Sequence, residues 1–336
     1  MVAEDPLAVE VDGERRPAWA DTALLGEMRE GDEVVVNVGA LDLGLGSGGF
    51  DVVHVNLTRG LGGGGAGDNH VMKLNYTSIQ HPVEPVELPV REMLAMRAKG
   101  TPERTGSAIP VLVLPLHGHL APAAWAAAEG AEGFRVGYVQ TGGGALPGTL
   151  SRDVAELRER GLLCGHIAAA PAYGGEHEAL SVAGALDAAA ARLGWDAVIA
   201  GPGPGIIGSD TRFGHGGMAA LDTAHAALAL GRPTLISPRL SAADPRDRHR
   251  PVSHHTLTVL QFLLAEVEVP VPEGYADPLD ALTATEGRFR LHQEPVHLDA
   301  YAATGLPART MGRGIAEDPL FFAAPLAAGA ALRRKG

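Results

Sequence analysis

The sequence predicts an α/β protein. Its main body is a doubly wound, mostly parallel, Rossmann-like sheet, accompanied by a small, mostly β domain formed by the N-terminal and C-terminal segments. Three observations carry that expectation. From Ile109 onward, short apolar runs alternate with helical stretches, the rhythm of βαβ units. "IPVLVLPL" (Ile109–Leu116) is apolar nearly throughout, as expected of a strand buried on both faces. Residues 1–100 instead carry β-branched runs bounded by glycine clusters, the texture of a small sheet or barrel.

Within that first part, "GDEVVVNV" (Gly31–Val38) and "FDVVHVNL" (Phe50–Leu57) read as strands, and His70–Gln80 as a third. They are joined by "GALDLGLGSGG" and "TRGLGGGGAGDNH", the second resembling a flexible loop. A proline-marked crossing, "PVEPVELPV", leads to a short helix, "REMLAMRAKG", and to "TPERTGSA", which has the character of an interdomain linker.

The α/β domain is expected over 105–265. Its strands are "IPVLVLPL", "FRVGYVQT", "LLCGHIAAA", "DAVIAG" and "PTLISPR". "APAAWAAAEGA" supplies the first helix, with Pro in its first turn. In "TLSRDVAELRERG", Ser151 and Asp153 favour the helix start and Gly161 its close. "GGEHEALSVAGALDAAAARLG" reads as a loop and a long helix, and "GMAALDTAHAALALG" as another helix. After "SHHTLTVLQFLLAEV" the chain turns β-like, in "VEVPVP" and "RFRLHQEPVHLD". Segment 266–336, including "TMGRGIAEDPLFFAAP", is therefore expected to pack back on the N-terminal β domain.

Composition narrows the functional classes. Apolar residues are 46% and charged residues 20%, ordinary for a globular chain, and abundant Ala favours thin helices packed closely on sheets. Lys plus Arg is 27 against 40 for Asp plus Glu, a net charge of −13, a field that repels nucleic-acid backbones and anionic membranes. "SPRLSAADPRDRHRP" is the basic exception, but Asp244 and Asp247 alternate with its arginines, as in a solvated loop. The single cysteine, Cys164, excludes an internal disulfide and a Cys-rich zinc site, and its apolar setting suits a small buried hydrophobe. Without a signal-like N-terminus or a bilayer-length apolar run, the protein is expected in the cytoplasm.

In open parallel sheets, ligands bind beyond the carboxyl ends of the strands. That rule selects "HGHL", "TGGGALP", "PAYGGEHEA", "GPGPGIIGSDTRFGHGG" and "SPRLSAADPRDRHR". The fourth contains G-x-G-x-x-G at Gly203, Gly205 and Gly208. A dinucleotide loop would need a helix starting within it and an acid ending the next strand. Here further glycines run to Gly217, and "PTLISPR" ends in Ser237, Pro238 and Arg239. The alternatives are a structural loop, or a substrate loop whose backbone N–H groups approach a ligand beside Asp210 and Arg212. "TGGGALP" (Thr141–Pro147) reads as an anion nest formed by Gly142, Gly143 and Gly144, or as a plain strand–helix turn.

Glu176, His177 and Glu178 are expected at a helix start, where carboxylates gain from the helix dipole without any catalytic role. Functionally, Glu176 or Glu178 would be a base or metal ligand beside His117. His117 and His119 lie side by side if the strand continues, yet a metal site usually needs a third ligand. His254 and His255 are adjacent at a helix start and are not expected to face one pocket. Neither G-x-S-x-G nor H-E-x-x-H occurs.

Together "LHGHLAP", "YVQTGGGALPGTLS", "AYGGEHEALSVAGAL", "GPGPGIIGSDTRFGHGG", "DPRDRHRPVSHHTLT", "TMGRGIAEDPLFF" and the N-terminal "VNVGALDLGLGSGGFDVVHVNL" resemble a domain-of-unknown-function family of high-GC bacteria (DUF3866). The resemblance spans nearly the whole chain and implies one architecture, but it brings no established activity, cofactor or catalytic residue. In that family Ser often stands at the position of His119, which speaks against a two-histidine metal site.

The leading expectation is a protein that binds or converts a small anionic metabolite at the carboxyl edge of the sheet. His117 is the acid/base candidate and Glu178 its partner. Thr141, Gly142–Gly144, Gly203, Gly205, Gly208, Asp210 and Arg212 would hold the ligand, with Glu176, His254 and His255 as further candidates. No metal ligand is assigned and no cofactor is identified; nucleic acid and membrane are not expected as partners. A non-enzymatic homo-oligomeric assembly or regulatory protein is the alternative class, and a metal-dependent hydrolase the third.

Overall fold

A computed structural model describes residues 7–44, 49–60, 70–87, 89–98 and 108–336. The expected linker around 101–107 and much of the two N-terminal glycine loops, 45–48 and 61–69, lie outside the described residues. The chain divides into two compact units, 1–85 and 86–336.

The first unit holds a four-stranded sheet of β1 (Leu7–Val11), β2 (Glu14–Trp19), β3 (Val34–Asn37) and β4 (Asp51–Asn56), in the order β1-β2-β4-β3. β1 and β2 form a hairpin whose turn, Asp12–Gly13, takes positive φ at both residues (51° and 81°), as a tight right-twisted hairpin requires. β3 and β4 match two of the expected strands. The third, His70–Gln80, contributes only Met72–Lys73, paired with His81–Pro82, because Leu74 and Tyr76 take left-handed φ and turn the chain. Ala18, Leu25 and Val53 form a small core, and the buried Asp51 is neutralised by Arg16 at 2.6 Å.

The second unit is an eight-stranded, all-parallel sheet flanked by helices. Its strands are β5 (Val111–Val113), β6 (Val136–Thr141), β7 (His166–Ala169), β8 (His177–Ala179), β9 (Ala197–Pro202), β10 (Thr234–Ile236), β11 (Val267–Pro272) and β12 (Phe289–Glu294). They lie in the order β8-β7-β6-β9-β5-β10-β11-β12. Successive residues of β5 feed opposite cores, Val111 and Val113 one, Leu112 and Leu114 the other, which explains the apolar run.

Helices α1 (Leu120–Ala128), α2 (Arg152–Glu159) and α7 (Pro319–Arg333) cover one face. Helices α3 (Val182–Ala191), α4 (Ala219–Ala229), α5 (His254–Gln261) and α6 (Ala276–Thr283) cover the other. The chain winds from β5 out to β8, then returns through α3 to insert β9 between β6 and β5, before proceeding to β12. The carboxyl ends of β5, β6 and β9 therefore bracket the topological switch point, where an open sheet leaves a crevice.

Two expectations need correction. Segment 266–336 does not complete the N-terminal β domain: β11 and β12 extend the large sheet in parallel, with all six residues of each in register. "VEVPVP" and "RFRLHQE" are strands, as read, but the crossover helix α6 between them commits them to a parallel sheet. The stretch "PLFFAAPLAAGAALR" is a helix, α7, begun by Pro319 at its first position despite Pro325 inside it. It lies against α1, where a Cβ on Gly329 would meet the Ala123 carbonyl oxygen at 2.2 Å, so glycine permits this close approach of Ala-rich helices. The second correction concerns Glu176–Glu178, which sit at and in the edge strand β8 rather than at a helix start; Ser181 caps α3 instead.

Candidate functional site

The segment after β5 does not continue as a strand. It closes into a 3-10 turn, His117–His119, that runs directly into α1. The turn sends the two imidazoles to different partners, so the side-by-side arrangement expected of a strand does not occur. His119 Nδ1 meets Ser237 Oγ at 3.0 Å, and its ring stands edge-on to Phe321 with centroids 4.9 Å apart. Burial pushes His119 down to about 3.

His117 turns toward the carboxyl end of β9 and the start of α2. Its Nδ1 faces the Pro202 carbonyl at 3.3 Å, which fixes the proton on Nδ1 because a carbonyl only accepts. Nε2 is then the lone-pair nitrogen, and it accepts from Ser151 Oγ at 2.8 Å. Ser151 is at once the N-cap of α2, its oxygen taking the Val154 N–H at 3.1 Å. Helix capping and imidazole contact therefore use one hydroxyl, holding it in a single orientation.

Asp153, in the first turn of α2, places Oδ2 3.9 Å from His117 Nε2. Burial, reinforced by Glu156, pushes its carboxyl up to about 6. Burial holds His117 down at about 4, partly opposed by the Pro202 carbonyl. Tyr138 in β6 donates to the Gly201 and Pro202 carbonyls at 2.9 Å each and stacks on His166 of β7, with centroids 5.3 Å apart. The result is a neutral imidazole in a fixed tautomer, beside a hydroxyl and a carboxyl whose pKa is raised by burial.

The other expected residues fall elsewhere. Glu178 Oε1 accepts the Gly174 and Gly175 N–H groups at 2.8 and 3.0 Å, bracing the loop between β7 and β8. That loop meets the α2 approach, because the Gly148 N–H donates to the Tyr173 carbonyl. Glu176 is paired with Arg158. Thr141 ends β6; Gly142 lies against Pro171 in the loop after β7, and Gly143 and Gly144 run against the segment that follows β9. Gly144 and Ile206 form a β-bridge, and the Ala145 N–H is shared between the Pro204 and Gly205 carbonyls. A Cβ on Gly144 would lie 2.4 Å from the Gly203 carbonyl oxygen, so these glycines serve the contact between loops.

Gly208 bridges to His215, closing the long loop on itself, and α4 follows only at Ala219. Asp210 pairs with Arg248 at 2.9 Å. Arg212 donates to Gln261 at 2.7 Å and lies over the Phe213 and Phe262 rings. Their partners are Arg248, Gln261 and the two rings rather than His117.

A second group gathers around α5. Ser253 caps this helix, and His254 and His255 begin it. Contrary to expectation, both turn toward one place, and the loop brings His215 to meet them. His215 and His255 stack with centroids 3.6 Å apart, and His249 joins the edge of the cluster. A shallow cleft elsewhere, lined by Ser241, Arg250, Tyr275, Asp277 and Leu320, contains none of the expected site residues.

The chain matches the model of the family described as Protein of unknown function (DUF3866) over residues 17–329. It belongs to that family. No curated protein matches it, and no solved structure does. For this DUF3866 chain, the site is therefore read from its own chemistry. The sequence singled out His117 but not Tyr138 or Asp153, which surround it, nor His215, which meets His254 and His255, and it gave Ser151 only a capping role. Ser151 and Asp153 stood out as helix-start residues, and His215 stood in "FGHGG"; the convergence of these groups has no signature along the chain.

Proposed function

We propose that this protein binds a small anionic metabolite at the carboxyl edge of the parallel sheet and exchanges a proton with it through His117. The observation that carries the reading is the 2.8 Å contact between Ser151 Oγ and His117 Nε2, with Nδ1 held on the Pro202 carbonyl. An imidazole locked in one tautomer presents a basic nitrogen to a hydroxyl, and a proton moves along that bond without reorientation. Its location supports the same reading, since the switch point of an open parallel sheet is where ligands enter. The start of α2, carrying Ser151 and the Val154 N–H, adds the partial positive charge that favours an anion. Asp153 receives the proton or returns it, its pKa of about 6 lying close to the working range of an acid–base pair. Glu178 supports the loop beside α2, acting on the site through the backbone.

The test uses the purified protein and a panel of phosphorylated and carboxylated metabolites in heavy water, with deuterium incorporation followed by NMR. One class of compound should exchange with the wild type. His117→Gln should slow that exchange by about 100-fold or more, with Ser151→Ala intermediate. No exchange with any compound, or equal rates in His117→Gln, would overturn the proposal.

A second reading, a homo-oligomeric assembly or regulatory protein, draws on exposed apolar side chains of the N-terminal unit, Val35, Leu57 and Tyr76. Sedimentation of the full chain as a concentration-independent monomer would remove it.

A further inference from the structure

The geometry points to a binding site for a divalent transition-metal ion, Zn2+ in chemical class, held by His215, His254 and His255. Each offers a ring nitrogen, and these three atoms lie within 4.8 Å of one another. Tetrahedral zinc with bonds of about 2.0–2.1 Å draws such nitrogens to about 3.3 Å apart. The remaining adjustment is within reach of side-chain rotation, and it requires the stacked His215 and His255 rings to splay from their present 8°.

The hydrogen bonds leave the coordinating lone pairs available. His215 Nε2 faces the Arg212 carbonyl at 3.1 Å, so it carries the proton and Nδ1 is the lone-pair nitrogen. That Nδ1 is buried and has no hydrogen-bond partner among the described residues, although the residue is only 7% exposed. His254 Nδ1 likewise faces the Arg248 carbonyl at 3.3 Å, freeing Nε2. Carbonyls that fix the tautomer from behind are the usual outer partners of metal-binding imidazoles.

Room for the ion is set by a glycine. A Cβ on Gly217 would approach His215 Nδ1 to 3.0 Å and His255 Nδ1 to 3.3 Å, so the absent side chain keeps open the space both nitrogens face. An orphaned buried acceptor costs about 1–3 kcal/mol, and this one stands beside two further imidazoles that offer ring nitrogens to the same place. Three neutral nitrogens with no cysteine suit a borderline ion such as Zn2+ and leave a fourth position for water or a ligand. The site uses none of the residues assigned to proton exchange.

The experiment is a calorimetric titration of chelator-treated full-length protein with zinc sulfate at neutral pH. One Zn2+ per chain is expected, with micromolar affinity or tighter. His254→Gln and His215→Gln should each weaken binding by about 100-fold or more, and Gly217→Ala by about 10-fold. His292→Gln, on β12, should leave binding unchanged. Histidine ring 15N spectra of the wild type, with and without Zn2+, keep the test decisive should a variant misfold. His215 Nδ1 and His254 Nε2 should shift on addition. Absence of stoichiometric binding, equal affinity in His254→Gln, or ring signals that do not move would overturn the assignment.

Discussion

His117 and the His215–His254–His255 group occupy loops of the same parallel sheet, yet they solve opposite problems. At His117 both ring nitrogens have partners, the Pro202 carbonyl and the Ser151 hydroxyl. The Asp153 carboxyl stands 3.9 Å away. At the three-histidine group, two rings are anchored from behind by carbonyls, and the His215 nitrogen on the other side meets no partner among the described residues. Under the two proposals the saturated imidazole passes a proton and the unsaturated one accepts a metal ion. The difference lies in partners rather than in residue type.

The largest effect expected on this comparison comes from the junction of the two loops. Gly143 takes φ +97°, and a Cβ there would lie 2.4 Å from the Gly216 carbonyl oxygen, one residue from His215. Gly143→Ala should cost about 3 kcal/mol of unfolding free energy in urea titrations, from backbone strain and overpacking. It should also weaken Zn2+ binding if the proposed site holds the ion; a near-neutral result would separate the junction from the loop that carries His215.

Ser151→Ala should separate the two centres. Losing a helix N-cap and the donor to His117 together costs about 2 kcal/mol, while Zn2+ affinity stays at the wild-type value. A parallel loss of Zn2+ affinity would show the two groups to be one.

Acid stability sharpens the comparison further. His117 has its pKa depressed from 6.5 to about 4, so its contribution is present above the unfolded value and lost as pH falls through that window. Asp153 has its pKa raised from 3.8 to about 6, so its contribution runs the other way, present at low pH and lost as pH rises through 6. Between pH 4 and 6 the native pair and the unfolded pair each carry close to one proton, and their effects nearly cancel. Asp153→Asn removes the balance. Its stability should fall with acid more steeply than the wild type, by about 1.4 kcal/mol per pH unit, read from urea midpoints at pH 4.5, 5.5 and 6.5. Parallel profiles for the two proteins would show that burial does not raise the Asp153 carboxyl.

The smallest effect belongs to Arg212. It is exposed, held by Gln261 and two aromatic rings, so Arg212→Ala should change stability by no more than about 0.5 kcal/mol. Metabolite exchange at His117 should be unaffected; a loss there would return Arg212 to the site as the anion's counter-charge.

Much of the α/β unit was legible because its signals are local. β5, β6, β7 and β10 lie within the runs read as strands and β9 passes its run by one residue, while Ser151 and Gly161 bound α2 as their cap chemistry dictates. The destination of β11 and β12 was not legible, since a strand pattern does not name the strand it pairs with. Glu178 was misread for a related reason. The same acidic residue suits a helix start or an edge strand, and only the neighbouring β7 decides between them.

The sequence by itself determined the alternation of strands and helices, the strand-end location of His117 and the late helix onset after the glycine run. Those properties follow from periodicity, caps and turn chemistry within a few residues. Only the tertiary structure decided that Ser151, Tyr138 and Asp153 surround His117, and that His215 crosses to meet His254 and His255. Such meetings depend on strand order and loop closure, which bring together residues separated by tens of positions.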